Sequence, residues 1–213
     1  MSIIIALDGP AASGKGTLAR KLASHFNLSL LDTGSLYRAV GWTVLQNKGD
    51  PTNQEDALKA ARMIENTDLS NPELRSESIA SAASKVAAQP AVRQTLVDFQ
   101  RHFAANPAQG KAGTILDGRD IGTVICPDAD AKIFITADVE TRAKRRFLEE
   151  FGAAGSDKQY QEILHVLKAR DNLDTNRAAS PLKQAENAYL IDTSNSDIET
   201  VFETARKYVS SKM

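Results

Sequence analysis

The sequence Gly9-Pro10-Ala11-Ala12-Ser13-Gly14-Lys15-Gly16-Thr17 indicates the fold to expect, because its glycines and lysine have the spacing of a loop that holds nucleotide phosphates. An apolar run from Ile3 to Leu7 precedes this stretch and predicts a buried strand. Leu18, Leu22 and Phe26 follow it at helical spacing. The stretch, called the phosphate loop below, therefore lies at a strand-to-helix turn, where backbone N–H groups and the positive end of the helix attract anions. The alternative is a glycine-rich turn without function, which the complete spacing and both flanking elements disfavour.

The residues around Lys15 indicate a particular kind of phosphate loop. Lys15 can reach the outer phosphates of a nucleotide, which makes it a candidate catalytic residue. In the common phosphate loop a Ser or Thr follows the lysine and ligates magnesium, whereas here Gly16 follows and Thr17 comes next. Loops ending Gly-Lys-Gly-Thr resemble those of nucleoside monophosphate kinases. We therefore expect Mg²⁺ to be held mainly by water and phosphate oxygens, with Thr17 among its contacts through water.

The composition limits the classes of protein that the chain can belong to. At 213 residues it is long enough for one α/β core with insertions. Its net charge is −1 with 25% charged residues, so we expect neither nucleic acid nor a membrane among its partners. The single Cys126 excludes an internal disulfide and a cysteine-rich zinc site. Together with the missing signal-peptide pattern, it favours a cytoplasmic protein, which we expect to be a monomer.

Alternating strand and helix patterns predict the architecture. Four further strands are expected, at Ser29–Leu31, Thr114–Asp117, Lys132–Thr136 and Ala188–Ile191, of which the first and the last are predicted to be buried. From Trp42 to Asn106 the composition is helical, which interrupts the alternation. We therefore predict an α/β fold of the P-loop NTPase type, a five-stranded parallel sheet with flanking helices. In this single domain the core comprises 1–33, 108–146 and 161–213, a helical insertion 34–107, and a small lid 147–160.

Polar groups follow two of the predicted strands at their carboxyl ends, where open parallel sheets bind ligands. Arg38, in the segment after the second strand, is either a phosphate clamp or an exposed helix arginine. Asp117 ends the third strand and can orient magnesium or its waters. Arg119 and Asp120 come directly after it and can contact a ligand, with a turn ion pair as the alternative.

Two helices carry further charged groups at helical spacing. Arg142, Arg145 and Arg146 share one face of a helix that Asp138 caps. Because the break Phe151–Ser156 that follows is rich in Gly and Ala, we predict that this face clamps phosphates in a closing lid, rather than being only solvated. On the next helix, starting near Tyr160, three residues share a face that can bind a sugar hydroxyl and a phosphate or form a simple ion-pair ladder: Arg170, Asp174 and Arg177.

Several of these segments together resemble the bacterial cytidylate kinase family, a group of nucleoside monophosphate kinases acting on CMP and dCMP. The resemblance runs nearly end to end. It rests on Leu7-Asp8-Gly9-Pro10 with the Gly-Lys-Gly-Thr loop, Asp32-Thr33-Gly34-Ser35-Leu36-Tyr37-Arg38, Ala83-Ser84-Lys85-Val86-Ala87-Ala88 with Pro90 and Val92-Arg93, Asp117-Gly118-Arg119-Asp120-Ile121-Gly122-Thr123-Val124, and Arg170-Asp171 through Asp174 to Arg177.

The resemblance implies phosphoryl transfer from ATP to CMP or dCMP, with Mg²⁺ as cofactor. It makes 34–107 the monophosphate-binding insertion. It assigns the CMP phosphate to Arg38, Arg119 and Arg177 with Thr33 nearby, cytosine to Ser84, Arg93 and Asp120, and the sugar to Arg170 and Asp174. The expected catalytic residues are Lys15, Arg119, Arg142 and Arg146, and the expected metal contacts, through water, are Thr17 and Asp117.

These assignments are consistent with the chemistry of the base. Asp120 can accept from the cytosine 4-amino group, and Arg93 can donate to a ring nitrogen that is an acceptor in cytosine but a donor in uracil. Two alternatives stay open: a UMP/CMP kinase or another nucleoside monophosphate kinase, and a non-catalytic nucleotide-binding regulator. The chain departs from the longer bacterial type in one respect, because the span from Thr67 to Ser78 is too short and too polar for the small β-sheet insert of that type.

Overall fold

The computed structural model contains a five-stranded sheet and describes residues 2–213 except for the side chain of Asn66. The strands are β1 (Ile3–Asp8), β2 (Leu28–Asp32), β3 (Gly113–Gly118), β4 (Ala131–Thr136) and β5 (Tyr189–Asp192). Their order across the sheet is β2-β3-β1-β4-β5, and β1 pairs in parallel with β3 and β4, as β4 does with β5. The predicted five-stranded parallel sheet is therefore confirmed.

Helices follow the strands and fill the segment between β2 and β3. They are α1 (Lys15–His25), α2 (Thr33–Gln46), α3 (Gln54–Ala61), α4 (Glu77–Ala87), α5 (Pro90–Ala105), α6 (Val139–Phe151), α7 (Asp157–Asn176) and α8 (Ile198–Ser210). Shorter turns of other helix types lie at Ile64–Asn66, Pro72–Arg75, Ile121–Ile125 and Gly152–Ala154. None of the helices within residues 2–213 is long and apolar enough to cross a membrane.

Capping side chains determine where several helices begin. Asp138 accepts a hydrogen bond from the Thr141 N–H at 2.6 Å and begins α6, as predicted. Helix α7 begins earlier than the predicted start near Tyr160, because Ser156 and Gln159 form a capping box in which each side chain bonds the backbone of the other.

The described chain separates into two compact units. The sheet unit comprises the residues up to Leu30 and those from Ala104 onward, and the helical unit comprises Leu31–Phe103. The segment predicted to be a monophosphate-binding insertion, 34–107, overlaps mainly with the helical unit. Its boundaries as an insertion, and those of the lid at 147–160, stay predictions.

One face of the sheet packs against α1 and α8 in the core of the sheet unit. Ile5 and Leu7 of β1 point to this face together with Ile133 and Ile135 of β4, since alternate residues of a strand share a face. From α1, Leu22 is fully buried in the same cluster, and burying such a side chain contributes roughly 1.5–3 kcal/mol. This packing fixes the position of α1 and hence of the phosphate loop that precedes it.

Strand β5 is more exposed than the sequence predicts. The sequence predicts a buried strand over Ala188–Ile191, but within β5 only Ile191 is buried. Strand β5 lies at the edge of the sheet. One of its faces packs against α8, where Tyr189 stacks on Tyr208 with ring centroids 4.7 Å apart. Leu190 points to the other face and is 51% exposed.

Close contact between α2 and α4 organises the helical unit. A Cβ atom at Gly41 of α2 would lie 3.0 Å from both Ala82 Cβ and Ala83 N of α4, so the two helices approach where small residues meet. The Asp32 side chain caps α2 by accepting from Gly34 N–H at 2.9 Å. The span from Thr67 to Ser78 holds the short turn Pro72–Arg75.

Candidate active site

Glycines give the phosphate loop its shape between β1 and α1. Gly9 has φ 151°, and a Cβ atom there would lie 2.0 Å from the Ile135 carbonyl oxygen, so only glycine fits. Gly14 has a left-handed φ of 90° where α1 begins. Inside the loop, Ser13 Oγ and Lys15 Nζ both donate to the Pro10 carbonyl, at 3.0 and 2.7 Å. The loop is thus held curled by its own side chains.

Lys15 is buried at the start of α1 among groups of both signs. Its exposed fraction is 6%. The pKa of Lys15 is lowered to about 7, first by burial and then by the charge of Arg119, against the opposing charge of Asp117. A polyphosphate brought to this amine would restore its positive charge. The site therefore has an amine ready to pair with an anion.

Asp117, at the end of β3, lies next to the start of α1. A Cβ atom at Gly16 would be 3.6 Å from Asp117 Oδ2, which puts this carboxylate beside the first turn of the helix. The Thr17 hydroxyl accepts from Arg20 at 3.2 Å. Within residues 2–213 no three His, Cys, Asp or Glu side chains cluster as a metal site. One carboxylate and one hydroxyl are hard oxygen donors of the type Mg²⁺ prefers, and so few donors suit an ion that keeps several of its waters.

A charged cluster joins the segment after β3 to the end of α7. Arg119 Nε donates to Asp174 Oδ2 at 2.9 Å, and Arg177 Nη1 lies 3.6 Å from Asp174 Oδ1. Arg177 Nη2 lies 4.0 Å from Asp120 Oδ1. Burial alone would raise the pKa of Asp174, but the guanidinium groups of Arg119, Arg170 and Arg177 hold it below its ordinary value. Asp174 is therefore an ionised carboxylate between two arginines.

The Ser180 turn also orients Arg177. Its Nε donates to the Ser180 carbonyl at 2.5 Å, and Ser180 has a left-handed φ of 52°. The Leu182 N–H donates to the Asp174 carbonyl at 2.8 Å, which brings the chain back against the end of α7. The structure brings together the five residues that the sequence predicts for this part of the site, with Arg170 acting on Asp174 through its charge. These residues are Arg119, Asp120, Arg170, Asp174 and Arg177.

The three arginines of α6 go to three different places. Arg142 is buried and donates to the carbonyls of Ala137 at 2.9 Å and Ala11 at 3.1 Å, while its Nη2 lies 2.6 Å from Asp171 Oδ2. Arg145 donates to the hydroxyl and the carbonyl of Thr193, and Arg146 pairs with Glu150 at 2.5 Å. Arg142 thus links the phosphate loop to α7. The predicted action of Arg142 and Arg146 on phosphates stays a prediction.

A cavity of about 300 Å³ opens beside the phosphate loop within the sheet unit. Its polar lining includes Thr17, Arg145 and Thr193, and its apolar lining comes from Ile135, Ile198 and Val201. The sequence does not reveal this cavity, because apolar residues at helical spacing in α8 are typical of core packing as well.

The helical unit holds the other predicted CMP-binding residues. Arg38 Nη1 donates to the Leu74 carbonyl at 3.0 Å, and Ser84 Oγ donates to the Ala80 carbonyl at 3.1 Å. Buried Arg93 donates to the Ala87 carbonyl at 3.3 Å, and its guanidinium carbon lies 5.3 Å from the centre of the Tyr37 ring. Thr33 is buried at the start of α2. Tyr37, next to Arg38, is a neighbour that the sequence did not single out.

Asp8 is a second residue that the sequence did not identify as functional. Its carboxylate accepts from the Ile121 and Gly122 N–H groups at 2.8 and 2.7 Å. Burial raises the pKa of Asp8 to about 7, against the lowering effect of these two backbone donors. No motif signals such a contact, because the donors belong to the backbone.

Comparison with known proteins identifies the group to which this site belongs. The chain matches the sequence model of the family described as Cytidylate kinase over residues 5–211. A cytidylate kinase from Methylocella silvestris is 53% identical over 98% of this chain and 94% of that protein. One from Paramagnetospirillum magneticum is 50% identical over the full length of both.

Solved structures are similar at the level of the fold. An uncharacterized protein from Eubacterium ventriosum has a TM-score of 0.57 at 20% identity, covering 98% of this chain and 99% of the other. A sugar kinase from Janibacter sp. HTCC2649 has a TM-score of 0.51 at 14% identity, covering 99% and 95%. At such low identity these likenesses concern the architecture alone, whereas the sequence matches extend through the phosphate loop and the charged cluster. The chain therefore belongs to the cytidylate kinase family.

Proposed function

We propose that this protein transfers the γ-phosphoryl group of ATP to CMP or dCMP, giving ADP and CDP or dCDP. The observation that carries the proposal is the cytidylate kinase match over residues 5–211, which contains the phosphate loop and the cluster around Asp174. The cytidylate kinase activity predicted from the sequence is thereby supported, and the UMP/CMP alternative is not favoured. A non-catalytic regulator is disfavoured because such a protein needs no second phosphate-binding cluster.

The phosphate loop and the neighbouring cavity provide for ATP. We assign the triphosphate to the loop, where Lys15 and the amides at the start of α1 supply positive charge. The nucleoside end of ATP is assigned to the cavity, which shares Thr17 with the loop and has the apolar side chains of Ile135, Ile198 and Val201 to cover a base.

Magnesium is part of the proposal through Thr17 and Asp117. When bound, the ion would neutralise charge on the phosphate oxygens of ATP. The Asp117 carboxylate beside the first turn of α1 would orient the waters of the ion, and the Thr17 hydroxyl would take part through water in the same way.

The charged cluster of the sheet unit is assigned to CMP. Arg119 and Arg177 would bind the phosphate, because Asp174 already holds both guanidinium groups near each other. Arg170 and Asp174 would contact the sugar. Asp120, buried within 4.0 Å of Arg177, would accept from the cytosine 4-amino group.

The helical unit would supply further contacts to the same substrate. Arg38 would bind the phosphate with Thr33 nearby, and Ser84 and Arg93 would read the base. The planar Arg93 guanidinium is held by the Ala87 carbonyl and the Tyr37 ring, so it loses little freedom on binding. A uracil ring would present a donor to this donor, and a buried mismatch of that kind is costly.

The proposed catalysis is electrostatic. Lys15 and Arg119 would neutralise charge that spreads over the transferring phosphoryl group, with Arg142 and Arg146 assigned to the same task. The acceptor oxygen is already anionic, so no general base is assigned. We also propose that the enzyme acts as a cytoplasmic monomer. Its net charge of −1 supports the proposal that it has no nucleic-acid partner.

A coupled spectrophotometric assay for ADP tests the proposal with CMP, dCMP, UMP and AMP as acceptors. We expect CMP and dCMP to react and UMP and AMP to react far more slowly. Equal rates with UMP would refute the proposed reading of cytosine. The Lys15→Met variant is the matched control, and retention of full phosphoryl transfer by this variant would refute the catalytic assignment.

A further inference from the structure

Asp8 occupies the junction between the central strand and the phosphate loop. It is the last residue of β1, it is 5% exposed, and Gly9 follows it directly. In the sheet it lies opposite Gly118 of β3 and Phe134 of β4. Its backbone is thus fixed on both sides, and its side chain projects from a rigid point.

The two carboxylate oxygens of Asp8 hold two successive backbone amides. Oδ1 accepts from Ile121 N–H at 2.8 Å, and Oδ2 accepts from Gly122 N–H at 2.7 Å. Above the raised pKa of Asp8, about 7, this carboxyl is ionised, and bonds from neutral donors to an ionised acceptor are shorter and stronger than neutral ones. The pair of bonds therefore fixes both the position and the orientation of this turn.

The turn that Asp8 holds carries two residues assigned to CMP. Arg119 and Asp120 come immediately before Ile121, and both side chains belong to the charged cluster around Asp174 and Arg177. Displacement of the Ile121 and Gly122 amides would change the direction of the chain leading out of Asp120.

Gly122 fits tightly under the carboxylate. A Cβ atom there would lie 3.4 Å from Asp8 Oδ2 and 3.2 Å from Cδ of Lys132. The Lys132 amine donates to Asn187 Oδ1 at 2.9 Å, so its aliphatic chain is held over the turn from the other side. The turn is therefore confined between Asp8 and Lys132.

The Asp8 carboxylate does more at this position than occupy volume. Burial makes an ionised group costly, and an amide of the same shape would turn a donor toward one of the two N–H groups. A purely apolar side chain would leave both buried amides without an acceptor. The chemistry of the side chain, beyond its size, determines how the turn is held.

We infer that Asp8 is a positioning residue for the monophosphate substrate: through the Ile121 and Gly122 amides it sets the orientation of Arg119 and Asp120. The identity of the substrate in this inference rests on the proposed function, whereas the hydrogen bonds by which Asp8 holds the turn do not depend on that function. It assigns to the residue before the phosphate loop a role in binding the acceptor rather than the donor.

The test compares Asp8→Asn with Asp130→Asn. Asp130 Oδ2 accepts from the Ile4 N–H at 2.7 Å near the beginning of β1, so the control replaces a charged acceptor of the same strand by a neutral one away from the site. For Asp8→Asn we expect KM for CMP to rise about ten-fold or more, since one bond to a charged group is lost and a donor faces a donor, with less than about three-fold change in KM for ATP. The ratio of kcat/KM for CMP over UMP should fall, because Asp120 loses its orientation. Asp130→Asn should change neither KM.

Two further measurements keep the test decisive. Amide hydrogen exchange, followed by NMR without substrate, should show faster exchange at Ile121 and Gly122 in Asp8→Asn than in the wild type. If Asp8→Asn does not fold, Gly122→Ala, which crowds the same contact while leaving the carboxylate in place, should raise KM for CMP in the same direction and to a smaller extent.

The outcomes separate the inference from the proposed function. Unchanged KM for CMP together with unchanged amide exchange in Asp8→Asn overturns the inference, as does an equal rise in both KM values, which indicates a merely structural role. A wild type that does not phosphorylate CMP overturns the proposed function, whereas the exchange data still decide whether Asp8 holds the turn.

Discussion

ATP binding should be accompanied by proton uptake at Lys15. The pKa of this lysine is lowered to about 7, chiefly by burial, so the amine is mostly neutral in the free protein at pH 8. The phosphates of ATP favour the charged amine. If binding returns the pKa to the ordinary lysine value of about 10.4, the affinity for ATP falls roughly 50-fold between pH 7 and pH 9.

Isothermal titration calorimetry in two buffers of different ionisation enthalpy measures this uptake. At pH 8 we expect a large part of one proton to be taken up per ATP bound, because the free amine is mostly neutral there and the amine paired with phosphates is charged. The control is Lys15→Arg, because arginine keeps its charge at this pH and should show little uptake. This control also leaves Asp8 in place, whose own pKa is raised to about 7 by burial, so uptake at Asp8 would persist in it. Equal heats in both buffers for the wild type, or equal uptake by wild type and Lys15→Arg, would refute the assignment.

The lowered pKa of Lys15 also determines how the stability of the folded protein changes with pH. Between about pH 7 and the ordinary lysine pKa, the unfolded chain binds a proton at Lys15 that the folded protein does not. This residue therefore makes the folded protein more stable as pH rises through that interval. Its contribution opposes that of Asp8, whose raised pKa makes the folded protein less stable as pH rises from the ordinary aspartate value toward 7.

Three substitutions test other parts of the structure. Asp174→Asn should raise KM for CMP about ten-fold or more in the coupled assay, because Arg119 and Arg177 lose the carboxylate that orients both, and KM for ATP should stay within about three-fold; equal changes in both would contradict this assignment. Gly9→Ala should abolish ATP binding in calorimetry, since its Cβ atom would lie 2.0 Å from the Ile135 carbonyl oxygen, and wild-type affinity would contradict the described loop geometry. Leu22→Ala should lower the free energy of unfolding in urea by about 2–5 kcal/mol, because Leu22 is fully buried between α1 and the sheet; a loss below about 1 kcal/mol would mean that the core packs differently.

The sequence predicted the sheet well where its strands are buried on both faces. Strands β1, β3 and β4 are short apolar runs followed by polar segments, and this pattern distinguishes them from helices. Strand β5 has the same kind of apolar run, but its place at the edge of the sheet leaves Leu190 exposed. Which strand lies at an edge depends on the order of pairing, and no local pattern encodes that order.

Side-chain partners were harder to predict than helix faces. Helical spacing correctly suggested that Asp174 and Arg177 lie near each other. The same kind of spacing placed Arg142, Arg145 and Arg146 together, yet each goes to a different acceptor. Spacing determines which residues share a face, whereas the acceptors come from the loop and strand ends that approach that face.

Contacts to the backbone left no signal in the sequence. Asp8 holds amides that are 113 and 114 residues away, and any residue except proline has such an N–H group. The roles in binding cytosine and the sugar were likewise predicted from the family resemblance. A single arginine or aspartate has no sequence pattern that distinguishes a substrate contact from an ion pair.

The acceptors of Arg142 have a consequence for how the two nucleotides affect each other. Its guanidinium joins the Ala11 carbonyl of the phosphate loop to Asp171, which lies on the same helix as Asp174. The phosphate loop and α7 are thereby mechanically coupled, so that a shift of either element changes the strain on the other. Thermodynamic reciprocity then requires that whatever factor a bound triphosphate applies to the affinity for the monophosphate, the monophosphate applies to the triphosphate.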